Sequence, residues 1–188
     1  MGKRGAMARF AGLRAARDES GSAAVEFALI APVFLLILAA TFEIGLVIRA
    51  KFQLISVVSA ASNHTLAIGD TIDEDSAQNA AAAIVALLGG GARSATVNVN
   101  NAVTAQIEAG TVTVSNTGAA VADCYCPSRP EEGLVWGGAT DCTAACGDGS
   151  QAGRFVEIAV QSPFAPVLGA YGLFSGDALY NSAVVRLP

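Results

Sequence analysis

The sequence predicts an α+β fold in which a long N-terminal helix, first transmembrane and then amphipathic, packs on a small antiparallel sheet with a second helix and a disulfide-bearing loop. Three observations predict it. No residue from 27 to 42 carries a charge, apolar and polar residues alternate from residue 96 onward, and four cysteines fall in two close pairs after residue 123. The first pattern is typical of a membrane helix, and the second is typical of half-buried strands.

The charge distribution separates a basic leader from an acidic remainder. The chain has 188 residues and a net charge of −5, with 11 bases and 16 acids. Residues 1–21 hold five of the bases and two of the acids, so six bases face fourteen acids in the remainder. A nucleic-acid-binding domain needs a basic footprint that displaces counterions from phosphates. The sequence therefore predicts no nucleic-acid partner.

The apolar run is long enough to span a bilayer. Residues 27–42 form about 24 Å of helix at roughly 1.5 Å per residue, and the apolar residues that follow, through Ile48, extend it to roughly 30 Å of hydrocarbon. Bases near a membrane segment stay on the cytoplasmic side. We therefore predict a basic leader over 1–21, a transmembrane helix over 22–48 and a periplasmic α+β domain over 49–188. Four cysteines in the last segment suit an oxidising compartment.

Three interpretations of the leader remain: a secretory signal cleaved after the apolar region, an uncleaved signal anchor, and a prepilin signal. The third comes from resemblance. Gly21, the small residues that follow it, and Glu26-Phe27 at the start of the apolar helix resemble a class III prepilin signal. Residues 23–38, with Glu43-Ile44-Gly45 after them, are similar to the TadE-like minor pilins (pseudopilins) of the tight-adherence (Tad, type IVc) or Flp pilus.

The resemblance implies a pilin-like fold and a processing step. A prepilin peptidase would cut between Gly21 and Ser22 on the cytoplasmic face and leave the hydrophobic helix on the mature protein. It also implies a single-pass protein of the bacterial inner membrane or the extracellular pilus. The implied partners are the lipid bilayer, other major and minor pilins and the inner-membrane assembly platform.

The residues near the predicted cut fit this chemistry. Gly21 has no side chain, so a protease can approach the backbone closely. The new amine of Ser22 and the carboxylate of Glu26 are four residues apart, on one face of a helix. A charge in lipid is costly, so pairing is the default hypothesis for Glu26, with a place at the headgroup boundary as the alternative. For Glu43 we predict a place at the outer membrane interface, with contact to another subunit as the alternative.

The remaining elements follow in order. The first helix continues over 49–64, with an apolar stripe at Phe52, Ile55, Val58 and Ser59 that packs on the soluble domain. Asp73 or Asp75 caps a second helix that runs from Ser76 to Leu88 and ends at three glycines. Alternation predicts strands near 97–99, 103–109 and 112–114, with a turn at Ala109-Gly110, and further strands at 155–161 and 179–187. The Pro-Phe-Ala-Pro segment between the last two also resembles the TadE-like pattern.

The four cysteines, Cys124, Cys126, Cys142 and Cys146, form a C-x-C and a C-x3-C pair. Such pairs could suggest zinc, but the oxidising location and the absence of a nearby histidine favour disulfides. Cys124 and Cys126 are too close for an easy mutual bond, so each is expected to pair across the loop, in either of two connectivities. No metal or cofactor is predicted.

Two functions remain at this point. The sequence lacks a phosphate-binding glycine motif and a nucleophile with a base partner, so we predict no enzyme. The first function is a minor pilin or pseudopilin, cleaved after Gly21 and incorporated through its helix, with Glu26 and Phe27 in assembly. The alternative is a membrane-anchored binding or adhesion module whose cysteine loop exposes Tyr125 and Trp136.

Overall fold

The computed structural model describes residues 20–90, 93–129, 133–166 and 178–188. Most of the predicted leader therefore lies outside the described residues. The chain divides into two compact units, Met1–Phe42 and Glu43–Pro188, and the division falls within the first helix, α1, which runs from Ser20 to Ile68.

The first unit is described as helix from Ser20 onward. Its large apolar side chains are exposed, with Phe27 and Leu29 each 73% accessible. Pro32 lies inside the helix. Within the described part of the chain, α1 is the one helix long and apolar enough to cross a membrane, and its most apolar stretch buries none of its surface against the protein. This fits a single-pass membrane anchor.

The second unit contains the end of α1, a second helix and five strands. A short 3-10 turn, Gly69–Thr71, follows α1, and the second helix, α2, spans Ala77–Leu88. The strands are β1 (Ser94–Val99), β2 (Val103–Glu108), β3 (Thr111–Asn116), β4 (Phe155–Pro163) and β5 (Ala178–Arg186). The predicted α+β class is confirmed.

The strands form one antiparallel sheet in the order β3-β2-β1-β4-β5. Val97 in the central strand lies opposite Ala105 of β2 and Ile158 of β4. All three residues are fully buried, as expected when every second residue of a strand faces the core. The turn between β2 and β3 contains Ala109 and Gly110, both with positive φ. This confirms the predicted tight turn.

The core lies between the sheet and the two helices. Helix α2 packs on β1, β2 and β3 and buries Ile84, Val85 and Leu88, together with two alanines. The end of α1 contributes Leu54 and Val58 to the same cluster.

The predicted stripe of α1 is wrong except at Val58. The buried residues are Leu54, Val58, Ala61 and Thr65, whereas Phe52 is 66% and Ile55 44% exposed, and Ser59 is exposed too. The helix has apolar residues on two neighbouring faces, so periodicity did not distinguish them. The buried face also carries small side chains, which made it harder to identify from the sequence. Thr65 is suited to burial because its hydroxyl donates to the Ala61 carbonyl at 2.9 Å.

Helix α2 begins with a reciprocal pair of hydrogen bonds. The Ser76 amide donates to Asp73 Oδ1, and the Asp73 amide donates to Ser76 Oγ, both at 2.9 Å. The Ser76 hydroxyl also donates to Asp73 Oδ1 at 2.7 Å. These bonds, first the side-chain one and then the backbone one, lower the pKa of Asp73 below its ordinary value of 3.8. Of the two predicted capping residues, Asp73 is therefore the one that organises this end.

The lowered pKa predicts an acid-sensitive contribution to stability. Because the folded-state pKa lies below the unfolded value, the contribution is present above about pH 4 and is lost as the pH falls through the folded pKa. Asp73→Asn should reduce the thermal stability of the detergent-solubilised chain at neutral pH, and the difference from wild type should shrink below about pH 4. Asp75→Asn is the control, since it removes the same charge without touching these hydrogen bonds. Equal pH profiles for the two variants would contradict the assignment.

Candidate functional site

The predicted processing residues lie in the first turns of α1. Gly21, Ser22, Glu26 and Phe27 are all helical and exposed. A Cβ added at Gly21 would meet no atom within 4 Å. Glycine in a helix is less stable than alanine by roughly 0.5–1 kcal/mol, so the local structure gives no reason for glycine at this position.

The apolar surface that follows Glu26 is not covered by the described residues of its own unit. Ser22 and Glu26 are separated by about 6 Å along the helix axis and lie on one face. Beyond them the exposed side chains are large and apolar, as at Phe34 (60%) and Ile37 (61%). A continuous apolar surface of this kind marks contact with lipid or with another apolar surface.

Glu43 lies inside the second unit. It is 1% exposed and takes part in a polar interaction within the chain. The prediction that it faces the outer membrane interface is therefore wrong. A buried carboxylate is tolerated only when it has a partner, and a single sequence does not show which partner the fold will bring to it.

The cysteine loop, residues 123–153, is closed by two crossed disulfides. Cys124 bonds to Cys142 and Cys126 bonds to Cys146, with Cα–Cα distances of 5.0 and 5.5 Å. The structure thus resolves the connectivity that the sequence left open. The bridges close loops of 18 and 20 residues, and each closure of this length contributes on the order of 3 kcal/mol in the chain-entropy account.

Backbone hydrogen bonds hold the loop in place of regular strands. Tyr125 and Gly153 exchange two bonds, at 2.9 and 3.1 Å, and the Thr140 amide donates to the Cys124 carbonyl at 2.8 Å. Ser128 and Val135 form a second reciprocal pair at 2.9 Å. The loop is therefore a tethered, covalently closed structure despite its irregular backbone.

Tyr125 and Trp136 form an aromatic pair within this loop. Their ring centroids are 5.7 Å apart and their planes meet at 76°, an edge-to-face arrangement. Tyr125 is 2% exposed, and Trp136 is half-buried. The expectation that both rings are exposed is wrong, because the tyrosine packs inside the loop. The adhesion alternative thereby loses one of its two proposed contact residues.

Asn100 connects the loop to the sheet, a role that was not predicted from the sequence. Its side chain is fully buried in the turn after β1, where φ is 50°. Its Nδ2 donates to the carbonyls of Val121 and Asp123, at 2.8 and 2.7 Å, and its Oδ1 accepts from the Phe155 amide at 3.0 Å. Asparagine tolerates positive φ, so the Asn-Val-Asn-Asn run was a turn signal, but the three distant partners were not visible in it.

A second contact between the loop and the sheet involves strand β5. Arg129 donates from Nη2 to the Ser182 hydroxyl of β5. Partial burial raises the pKa of Glu157 on β4, and the positive charge of Arg129 opposes that rise.

The Asn100 contacts predict a loss of stability that is specific to its side chain. Asn100→Gly keeps the positive φ accessible but leaves two carbonyls and one amide unpartnered, and each buried unsatisfied group costs about 1–3 kcal/mol. We expect the free energy of unfolding to fall by more than about 2 kcal/mol, measured by urea titration of the solubilised chain. Asn101→Gly is the matched control, because Asn101 also has positive φ (58°) and is only half-buried. Equal losses in the two variants would show that the side-chain bonds do not matter.

Comparison with known proteins identifies the first part of the chain. Residues 21–62 match the family model described as TadE-like protein. This confirms the resemblance drawn from the sequence and indicates a protein associated with Tad pilus systems. The match begins at Gly21 and ends within α1, before α2 and the sheet. No curated protein and no solved structure matched the chain.

Proposed function

We propose that this TadE-like chain is a minor pilin or pseudopilin of a Tad-type pilus. A prepilin peptidase removes residues 1–21, and the mature protein enters or primes the fibre through the hydrophobic helix that begins at Ser22. The match to the TadE-like family over residues 21–62 is the observation that carries this proposal. The role is structural and not catalytic.

The environment of Gly21 supports processing at this point. Packing does not require glycine here, since a Cβ would meet nothing within 4 Å. A membrane protease does benefit from it, because a bare backbone can approach the catalytic groups closely. The small residues after Gly21 keep the other side of the scissile bond equally open.

The exposed helix supports incorporation. Lipid tails are as apolar as leucine, so the hydrophobic effect alone does not favour moving a helix from lipid to a bundle of helices. Helix packing and matched polar groups therefore determine whether the helix moves from lipid into the bundle. Glu26 supplies such a group, since an unpaired charge that enters the lipid is costly, up to about 2.5–3.5 kcal/mol at the centre of the membrane, and a pairing amine removes much of that cost. The partner that we propose is the Ser22 amine of a neighbouring subunit.

The charge pattern and the disulfides support the proposed location of each remaining segment. The basic leader stays in the cytoplasm, the helix crosses the inner membrane, and residues 49–188 lie in the periplasm, where the bridges can form. The proposed partners are the prepilin peptidase, major and minor pilins and the inner-membrane assembly platform.

Replacing Glu26 tests the proposal. Glu26→Gln should insert into the membrane at the wild-type level, because it removes a charge from an apolar helix. It should reduce incorporation into sheared pili by about tenfold or more, since the neighbouring amine would then be unpaired in the fibre. Both quantities can be measured by immunoblot of membrane and pilus fractions.

Glu108→Gln is the matched control, because it neutralises an exposed carboxylate in the second unit. Normal incorporation of the Glu26 variant would contradict the pairing role. Equal loss in the two variants would show that the effect is not specific to the helix.

A further inference from the structure

Strand β3 is an open edge of the sheet. It pairs with β2, and no other described strand pairs with its far side. All six of its residues, Thr111 to Asn116, are exposed. An edge strand of this kind presents a row of unpaired amide and carbonyl groups that can bind another strand.

The usual features that protect an edge strand are missing from β3. Its sequence, Thr-Val-Thr-Val-Ser-Asn, contains no charged residue and no proline. Its register with β2 runs without a bulge from Thr111, opposite Glu108, to Asn116, opposite Val103. Proteins commonly block strand addition with lysines, prolines or bulges at such positions.

Strand β5, at the opposite edge of the sheet, is partly covered. Strand β5 is mostly half-buried, and Ser182 near its centre accepts a hydrogen bond from Arg129 of the cysteine loop. Its last residue, Arg186, donates from Nη2 to the Ala152 carbonyl at 3.1 Å. The two edges of one sheet therefore differ, and β3 is the accessible one.

The core face of the sheet continues onto β3, where α2 covers it only in part. Val112 and Val114 lie opposite Ile107 and Ala105, which are buried, yet they are themselves 39% and 40% exposed. The other face of β3 carries Thr111, Thr113 and Ser115. A strand added at this edge would cover the two valines and satisfy the open backbone groups together.

We propose that β3 pairs antiparallel with β3 of a second copy of this chain, about a two-fold axis. Opposite residues of an antiparallel pair lie on the same face, so the axis passes midway between the two copies of one residue of β3. With the axis at Thr113, Val112 of each copy lies opposite Val114 of the other, and Thr111 lies opposite Ser115. Such β-branched pairs stabilise a sheet, and a two-fold contact is the commonest closed arrangement of identical chains.

The near symmetry of the sequence Thr111 to Ser115 about Thr113 favours a second copy as the occupant of this edge, and charge selects this edge among the surfaces through which two copies could meet. Residues 22–188 carry fourteen acids against six bases, so most contacts between two copies would bring like charges together. The β3 edge is uncharged. Antiparallel pairing also places the end of β3 beside Glu108 against the Asn116 end of the other copy, which keeps the two Glu108 carboxylates apart. This inference does not depend on the proposed role in the pilus.

Cysteine cross-linking of the full-length chain in its native membrane tests the proposal. Thr113→Cys places a thiol on the axis, where the antiparallel geometry gives Cα–Cα distances of about 4.5–5.5 Å, within disulfide range. We expect a reductant-sensitive homodimer on non-reducing gels. Gln106→Cys is the control, because Gln106 is exposed and lies directly opposite Thr113 one strand inward. The Thr113 variant should give at least about tenfold more dimer than this control.

Charged substitutions test whether the dimer has the proposed register or arises from random collision. Thr111→Lys with Ser115→Lys, added to Thr113→Cys, should reduce the dimer about tenfold, since lysines would then face each other across the axis. Thr111→Lys with Ser115→Glu should restore it. All three positions are exposed, so the fold should survive. Equal cross-linking at positions 113 and 106, dimer yields insensitive to these charges, or cross-linking of Thr113→Cys to a different protein would overturn the proposal.

Discussion

The apolar surface of α1 from Gly21 to Phe42 is not buried by the described residues of the first unit. From Gly21 to Phe42 the helix carries Phe, Leu, Ile and Val side chains that are mostly exposed, and its most apolar stretch buries nothing against the protein. Burial of such a surface is worth about 25 cal/mol per Å² of apolar area, so lipid or other helices must cover it. This requirement fits a single-pass membrane anchor and, under the proposed function, also makes the helix the part that transfers into a fibre.

The second unit has a small core and a long irregular loop, and its stability depends on how that loop is held. Two crossed disulfides close the loop, and Asn100 attaches its beginning and the strand that follows it to the turn after β1. The disulfides restrict the unfolded chain, whereas the Asn100 side chain satisfies buried backbone groups of the folded one. These contacts hold the loop beside the start of β4. Strand β3, which forms one edge of the sheet, remains exposed.

Local patterns predicted most of the fold, and contacts between distant residues account for the errors. Alternation located the five strands, and glycines and Asp73 located the ends of α2, because these signals depend on neighbours in sequence. The buried face of α1, the burial of Glu43 and Tyr125, and the disulfide connectivity depend on which elements meet in space. Glu26 differs from all of these: its predicted partner belongs to another subunit, so the fold of one chain does not test it.

Under the proposed function, the helix becomes the N terminus of the mature protein and is kept. This can be tested by N-terminal sequencing of the chain purified from membranes and from sheared pili, with and without an active prepilin peptidase. We expect a sequence that starts at Ser22 in both fractions when the peptidase is active, and an uncut leader in the membrane when it is not. A mature chain that starts at Met1, or one cut beyond the apolar run near Thr41, would contradict it.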